Sequence, residues 1–381
     1  MTMTAEKTLP VYGEASFKPR VRPADDHCEV RTIEPGRWDA MFCDFRDVIH
    51  EQTACFNEVN WSADDLQFLA VERRGQLVGG AVVRVVRAPM DLARLSIIRW
   101  GPLWRPHTAP DDLDNLRGVY RALIGYVRRQ NSFLLVIPRS DPQYAIAEKN
   151  ILAQLGFEAL YQPESPERYF VNVDQSADEA LAGFAQKWRY NLRKSQKQDL
   201  GFEIMEGEAG LARFMELYGQ MLQRKRFFET SPIDTLEAVV RSPVQKLRPV
   251  FGIVTHEGAP VAGAALDVSS ERAIYLYGAT NGAGNRIRAG YFMQWEIVRR
   301  LCEDPVVRWY DLGGGTSPTC SLHQFKRGLT GKTGVISDIA PYFGIGATRT
   351  QTLFGKAAVQ AQLAKYRVMR MAHGMSRASG S

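Results

Sequence analysis

The chain has 381 residues, 45% hydrophobic and 24% charged, with a formal charge of +6 at neutral pH, a globular composition whose length suits two domains of about 150–200 residues each. No apolar run approaches the roughly 20 residues that span a bilayer, and the opening MTMTAEKTLPVYGEASFKPR lacks the apolar core of a secretory signal, so a cytoplasmic protein is expected. Cys28, Cys43, Cys55, Cys302 and Cys320 form no Cys-x-x-Cys pair and histidine is sparse, which excludes a metal site and fits unpaired thiols in a reduced compartment.

Residues 1–27, with Pro10, Pro19 and Pro23, are expected to be a disordered tail. Cys28 to Ile33 begins the first strand. Trp38, Met41, Phe42, Phe45, Val48 and Ile49 then recur at helical spacing. Phe68 to Val71, the turn at Arg74-Gly75 and Leu77 to Val86 predict a hairpin, and Arg94 to Trp100 a further strand. A helix over Asp111 to Arg129 has acids early and arginines late, in keeping with the helix dipole. Phe133 to Ile137 is a buried strand, Tyr144 to Leu155 a helix, and Tyr169 to Val173 a strand.

After Asp174 the pattern restarts. Ser176 with Glu179 has capping-box spacing, and the helix it opens runs into Lys187-Trp-Arg-Tyr-Asn-Leu-Arg-Lys. Leu200-Gly-Phe-Glu opens a strand, as Leu155-Gly-Phe-Glu does in the first half. Helices are predicted over Leu211 to Phe227 and Ile233 to about Leu247, and a three-stranded meander over Pro249 to Thr255, Ala259 to Val268 and Ala273 to Ala279. Tyr291 to Cys302 is a helix leading into a strand at Trp309, and Val335 to Tyr342 closes the sheet. Gly75-Gln-Leu-Val-Gly-Gly-Ala-Val and Gly258-Ala-Pro-Val-Ala-Gly-Ala-Ala share a turn glycine, a valine three residues on and a small-residue stretch, so two copies of one α/β unit are expected, residues 28–174 and 175–345. Residues 346–381 form a basic C-terminal helix and tail. Arg349, Lys356, Lys365, Arg367, Arg370 and Arg377 lie there without an acid, and the rest of the chain balances to zero. That helix suits docking on the body, contact with anionic lipid at the inner face of the membrane, or contact with RNA.

Two segments carry candidate chemistry. The first is Arg308 to Gly328, where a buried strand ends in Asp311-Leu-Gly313-Gly314-Gly315, a loop with Thr316, Ser317, Pro318 and Cys320 follows, and order resumes at His323-Gln-Phe325-Lys326-Arg327-Gly328. Glycines there let the backbone turn or approach a ligand, at the strand end where open α/β sheets bind ligands. Asp311 either orients a substrate amine or caps the glycine loop. The second is Lys187 to Lys197, in which Lys187, Arg189, Arg193, Lys194 and Lys197 cover two adjoining helix faces. It is either a solvated helix end or a cradle for phosphate, and Arg224-Lys225-Arg226-Phe227-Phe228 adds cations to the same choice.

The strand ending Tyr-Asp-Leu-Gly-Gly followed by Phe-Lys-x-Gly, and the Lys-x-Arg-Tyr-Asn-Leu-Arg run, resemble the Fem-type (FemAB-like) non-ribosomal peptidyltransferases of the GNAT superfamily, over roughly residues 35–345. That resemblance implies an α/β protein of two tandem GNAT-like domains, with a cleft between them. It implies an N-acyltransferase that passes an aminoacyl group from charged tRNA to an amine of a phosphate-bearing cell-envelope precursor. Lys326 would meet the developing charge or the donor phosphate, Phe325 would position it, and Arg189 and Arg193, with Lys187, Arg224, Gly313 and Gly314, would hold substrate phosphates. The superfamily's diphosphate cradle falls at Asn285-Arg-Ile-Arg288-Ala-Gly290-Tyr, where one glycine remains, so a tightly bound cofactor is not expected and the acyl donor is a co-substrate. No Ser/His/Asp or Cys/His pattern is visible, which fits direct aminolysis without a covalent enzyme intermediate. The first half departs from the family: Asn57-Glu-Val-Asn-Trp61 stands where Gln-Ser-x-x-Trp and a lysine occur, and no heptad-patterned hairpin is present, which leaves the acceptor open. Two alternatives stand beside this one. One is an acyl-CoA-dependent GNAT enzyme acting on a sugar or lipid amine in polysaccharide synthesis, and the other a non-catalytic RNA- or membrane-binding module. Oligomeric state is not legible.

Overall fold

The computed structural model describes residues 27–88, 90, 93–163, 167–225, 233–314 and 321–378. The expected N-terminal tail up to residue 26, the loop residues 315–320 and the cations and aromatics of 226–228 lie outside them. Numbered in chain order, the strands are β1 (Cys28–Thr32), β2 (Leu66–Arg73), β3 (Gln76–Arg87), β4 (Arg94–Arg99), β5 (Ser132–Ile137), β6 (Glu158–Tyr161) and β7 (Glu167–Asn172). They continue with β8 (Leu200–Glu206), β9 (Val250–His256), β10 (Ala259–Asp267), β11 (Arg272–Thr280), β12 (Trp309–Gly314), β13 (Val335–Asp338) and β14 (Tyr342–Ile345). Two seven-stranded sheets result among the described residues, ordered β1-β2-β3-β4-β5-β14-β6 and β13-β7-β12-β11-β10-β9-β8.

Helices cover both faces of each sheet, a mixed α/β architecture of two units. Over the first lie α1 (Pro35–Phe42), α2 (Ala54–Asn60), α3 (Leu113–Arg129) and α4 (Ala145–Gln154). Alternating residues of one strand serve opposite cores: Leu69 and Val71 meet Val119, Leu123 and Leu152 on one face, and Phe68 and Ala70 meet Trp38 and Phe42 on the other. Over the second lie α5 (Ala177–Gly183), α6 (Gln186–Ser195), α7 (Gly207–Lys225), α8 (Thr235–Val240), α9 (Gly282–Arg286), α10 (Ala289–Glu303) and α11 (Ser321–Thr330). There Phe251 and Ile253 pack under α7 and α8, while Val254 faces α6, α10 and α11. The last helix, α12 (Arg349–Ala378), returns to the first sheet.

Sheet membership departs from the expected division after Asp174. β7 pairs with β12 and β13, inside the second sheet, because Tyr169, Phe170 and Val171 are buried on both faces and need cover on each side. The single strand expected over Val335 to Tyr342 is two. β13 stays in the second sheet, Ile339–Pro341 crosses over, and β14 inserts between β5 and β6. There Phe343 joins the first core, and Gly344 leaves the room that Phe133 and Leu160 occupy: a Cβ on it would lie 2.5 Å from both.

Three expected helices are shorter, and the one from Ile233 to about Leu247 ends as α8 at Val240. The first stops at Phe42, because Asp47 accepts the Trp104 and Arg105 amides at 3.0 and 3.2 Å and holds the following residues as a loop that still buries Phe45, Val48 and Ile49. The Ser176 capping box forms, yet the helix breaks at Phe184, whose backbone is extended, and Ala185 donates its amide to the Gly328 carbonyl at 2.9 Å before α6 begins. α2 and α9 were not expected.

Candidate active site

Each sheet holds one parallel pair of central strands, and the two pairs differ. In the first, β4 and β5 stay paired from Arg94↔Ser132 to Arg99↔Ile137. In the second, β11 and β12 pair only from Arg272↔Trp309 to Ile274↔Asp311, after which each strand runs on without the other. Residues 272–274 are buried, whereas Tyr275 to Gly278, beyond the split, are half-buried. The second unit therefore has an opening between the carboxyl halves of two central strands, where α/β sheets place ligands.

Three elements surround that opening. β12 ends in Gly313, at a left-handed φ of 74°, and Gly314. α11 carries Lys326, which is 8% exposed and donates from Nζ to the Gly314 carbonyl at 2.7 Å. Phe325, beside it in the chain, turns instead toward Tyr291 of α10 and Trp188 of α6, with ring centroids 4.8 and 6.0 Å away. The lysine thus sits at the strand's end while its neighbour locks α11 to the helices behind.

α10 begins at the third side. Its N-cap, Arg288, is left-handed at a φ of 59°, and no side chain caps the first turn. A Cβ on Gly290 would meet only Thr280 Oγ1, at 3.8 Å, and Arg224 donates to the Thr280 carbonyl at 3.2 Å. Cations gather here. The Tyr190 phenol is held below its ordinary range first by its hydrogen bond to Lys194, then by the charges of Lys194, Arg288 and Lys197. Burial pushes the Tyr291 phenol up, opposed by a hydrogen bond from Asn191 and the charge of Arg288. A helix start with converging cations is a place for phosphate oxygens.

The basic helix therefore splits its residues between two sides. Tyr190, Asn191 and Lys194 face the start of α10. Arg189 and Arg193 line a groove of about 380 Å³ on the α5 side, with Asp178, Leu181 and Gln196, and Arg189 donates to the Ala182 carbonyl at 2.9 Å. Lys187 is exposed in the first turn. Trp188 and Leu192 fix this orientation by being buried in the second core.

Asp311 is fully buried and caps the glycine turn, accepting the Gly313 amide at 2.8 Å. Arg168 of β7 donates Nε to both carboxylate oxygens at 2.9 and 2.8 Å, and Arg272 Nε lies 3.7 Å away. Arg168 also stacks under Trp100, 4.5 Å from its ring, and Arg272 donates to the Ser140 carbonyl, so this cluster joins the two units. Arg105 adds a two-pronged bond to Asp111 at 2.8 and 2.6 Å and one to Glu271 at 2.8 Å.

Sequence reasoning missed several of these groups. Arg168 and Arg272 carry no sequence signal, and only the strands' packing shows them buried. His323 had a signal, since it precedes Lys326 by three residues and shares its helix face. It bonds to the Tyr169 hydroxyl, which donates to Glu167 at 2.6 Å. Among the described residues no His/Cys/Asp/Glu group is arranged to hold a metal ion, and no helix is long and apolar enough to cross a membrane.

Residues 182–327, which span the opening, α6, α10, β12 and most of α11, match the family model of the acetyltransferase (GNAT) domain. The crystal structure of FemX superposes with a TM-score of 0.68 at 16% identity, covering 86% of this chain and 100% of that one. The C-terminal domain of a putative lysylphosphatidylglycerol synthetase from Agrobacterium fabrum follows at 0.52 and 13%, covering 85% and 96%. L-PGS from Bacillus licheniformis gives 0.51 and 11%, covering 84% and 95%. At these identities the likeness is one of fold, and no curated protein matches the chain in sequence. Residues 182–327 carry a GNAT-type acyltransferase domain, and the chain as a whole shares its fold with FemX.

Proposed function

We propose that this protein is an N-acyltransferase of the Fem type, which moves an aminoacyl or acyl group from a diffusible donor to an amine of a cell-envelope precursor. The observation that carries this is the placement of Lys326 at the end of β12, its ammonium against Gly314 and the opening between β11 and β12 beside it. In the reaction the acceptor nitrogen bonds to the donor's carbonyl carbon. The ester or thioester bond breaks, and the amine proton leaves with the departing oxygen or sulfur. Lys326 supplies positive charge to the carbonyl oxygen as it becomes an oxyanion, an effect worth about 10²–10³ in rate for a single donor. Lys194, Lys197, Arg288 and Arg224, with the uncapped start of α10, hold the donor's phosphates.

Charged tRNA is the preferred donor, because the α10 turn keeps one glycine, Gly290, where a diphosphate cradle is glycine-rich. Acyl-CoA is the second, favoured by the family match over residues 182–327 and by the open first turn of α10. One protein that shares the fold, a putative lysylphosphatidylglycerol synthetase, supports a lipid headgroup as acceptor and an aminoacyl group. We place the reaction in the cytoplasm, at the inner face of the membrane, with no tightly held cofactor. The test is to incubate the protein with charged tRNA or with acyl-CoA, each with amine acceptors of the envelope and lipid classes. Amide formed from tRNA alone supports the first donor and from CoA alone the second. Absence of product with both would overturn the reading.

A further inference from the structure

α12 docks by one line of residues in its first half. Val359 is buried beside Leu95, Phe133 and Leu135, and a Cβ on Gly355 would lie 2.2 Å from the Phe133 ring. Gln351 bonds to Asn131, and Lys356 Nζ reaches Glu158 at 2.5 Å. The opposite line of a helix lying on a protein body ordinarily carries polar residues for water. Here it is apolar. Leu353 is 71% exposed and Phe354 40%, and Ala357, Ala361 and Ala364 are exposed with them, Gln360 standing at the margin. At 100° per residue, positions 368, 371 and 375 continue the same line, and the sequence supplies Val, Met and Met there.

Charge says what covers it. From Ile339 onward the chain carries six cations and no acid. Arg349, Lys356 and Arg367 fall along one edge of the apolar line, and Lys365 along the other. We propose that this face of α12 rests in the headgroup layer of an anionic membrane, parallel to its surface, with Leu353 and Phe354 among the upper acyl carbons and the flanking cations against lipid phosphates. A second copy of the same face is disfavoured, because it would set cations against cations with no acid on either helix to pair them. RNA would engage the cations and leave the two exposed apolar side chains without a role. The proposal stands apart from the acyl-transfer reading, since it concerns a helix on the first sheet.

The test uses the full chain, sedimented with phosphatidylcholine vesicles with and without phosphatidylglycerol. Binding is expected only with phosphatidylglycerol, weakening as salt is raised and falling by about fivefold for each cation removed among Arg349, Lys365 and Arg367. The double variant Leu353→Glu/Phe354→Glu, at exposed sites, should keep the wild-type circular dichroism and lose vesicle binding. Equal binding by that variant, equal binding to phosphatidylcholine alone, or no binding to either would overturn the proposal. So would a dimer in solution that the double variant dissolves, or RNA binding that competes with wild-type chain while vesicles do not.

Discussion

Replacing Asp311 separates a buried brace from a substrate contact. Both of its oxygens are engaged by Arg168, at 2.9 and 2.8 Å, and one also by the Gly313 amide at 2.8 Å. With the carboxylate gone in Asp311→Ala, the guanidinium of Arg168 stays buried without its counter-charge, and that of Arg272, itself 3% exposed, is left with Asp141. Breaking one partner of a buried pair costs about 3–5 kcal/mol. The orphaned Gly313 amide adds about 1 kcal/mol and loosens the turn that presents Gly314 to Lys326. Asp311→Asn keeps an acceptor for that amide and should fall between. Urea unfolding followed by tryptophan fluorescence, together with turnover, gives the answer: the midpoint should drop steeply for alanine and less for asparagine, with turnover falling in the same order. A wild-type midpoint for Asp311→Ala with turnover abolished would refute the brace and make the carboxylate a substrate contact.

Other outcomes follow from single contacts. Burial pushes the Glu148 carboxyl up from 4.5 to about 7, against the pull of the Tyr120 hydroxyl at 2.5 Å. With the folded value above the unfolded one, the stability it lends is full below about pH 4.5 and is lost as pH rises through about 7, so Glu148→Gln should be neutral in acid and stabilising by up to about 3 kcal/mol near pH 8. Denaturation at both pH values checks this, and an equal effect at both would contradict it. Gly355→Ala places a methyl into Phe133 and should cost about 1–3 kcal/mol, opening α12 to proteolysis; an unchanged cleavage rate would count against the docked position. Lys194→Glu should raise the donor's KM by on the order of tenfold with little change in kcat, the effect shrinking in high salt, if α6 and α10 hold phosphates together. A KM unmoved by this charge reversal would send the phosphate site elsewhere, the groove beside Arg189 and Arg193 being the next candidate.

Much of the fold was legible because it is local. The β2–β3 hairpin, the Ser176 capping box and the β9–β10–β11 meander each rest on turn glycines and alternation within a few residues. Their doubling pointed to two α/β units. Sheet membership was not legible, since the side that β7 and β14 join is set by partners more than a hundred residues away for β7, and nearly two hundred for β14. Asp311 showed its capping role through its spacing to Gly313, whereas Arg168 and Arg272, which share its charge, lie on strands whose sequence gives no hint of burial. The two faces of the basic helix could be read from spacing alone. Which of them meets α10 depends on where Trp188 and Leu192 are buried, and that is tertiary information.

The central claim is that Lys326 stabilises charge on the acyl carbonyl. The most direct measurement is the single-turnover rate of Lys326→Met, which keeps the side chain's bulk, with whichever donor the wild-type chain uses, set beside its urea midpoint. The rate is expected to fall about 10²–10³-fold with donor binding retained. A folded variant that turns over at the wild-type rate would remove the lysine from the chemistry and the proposed mechanism with it.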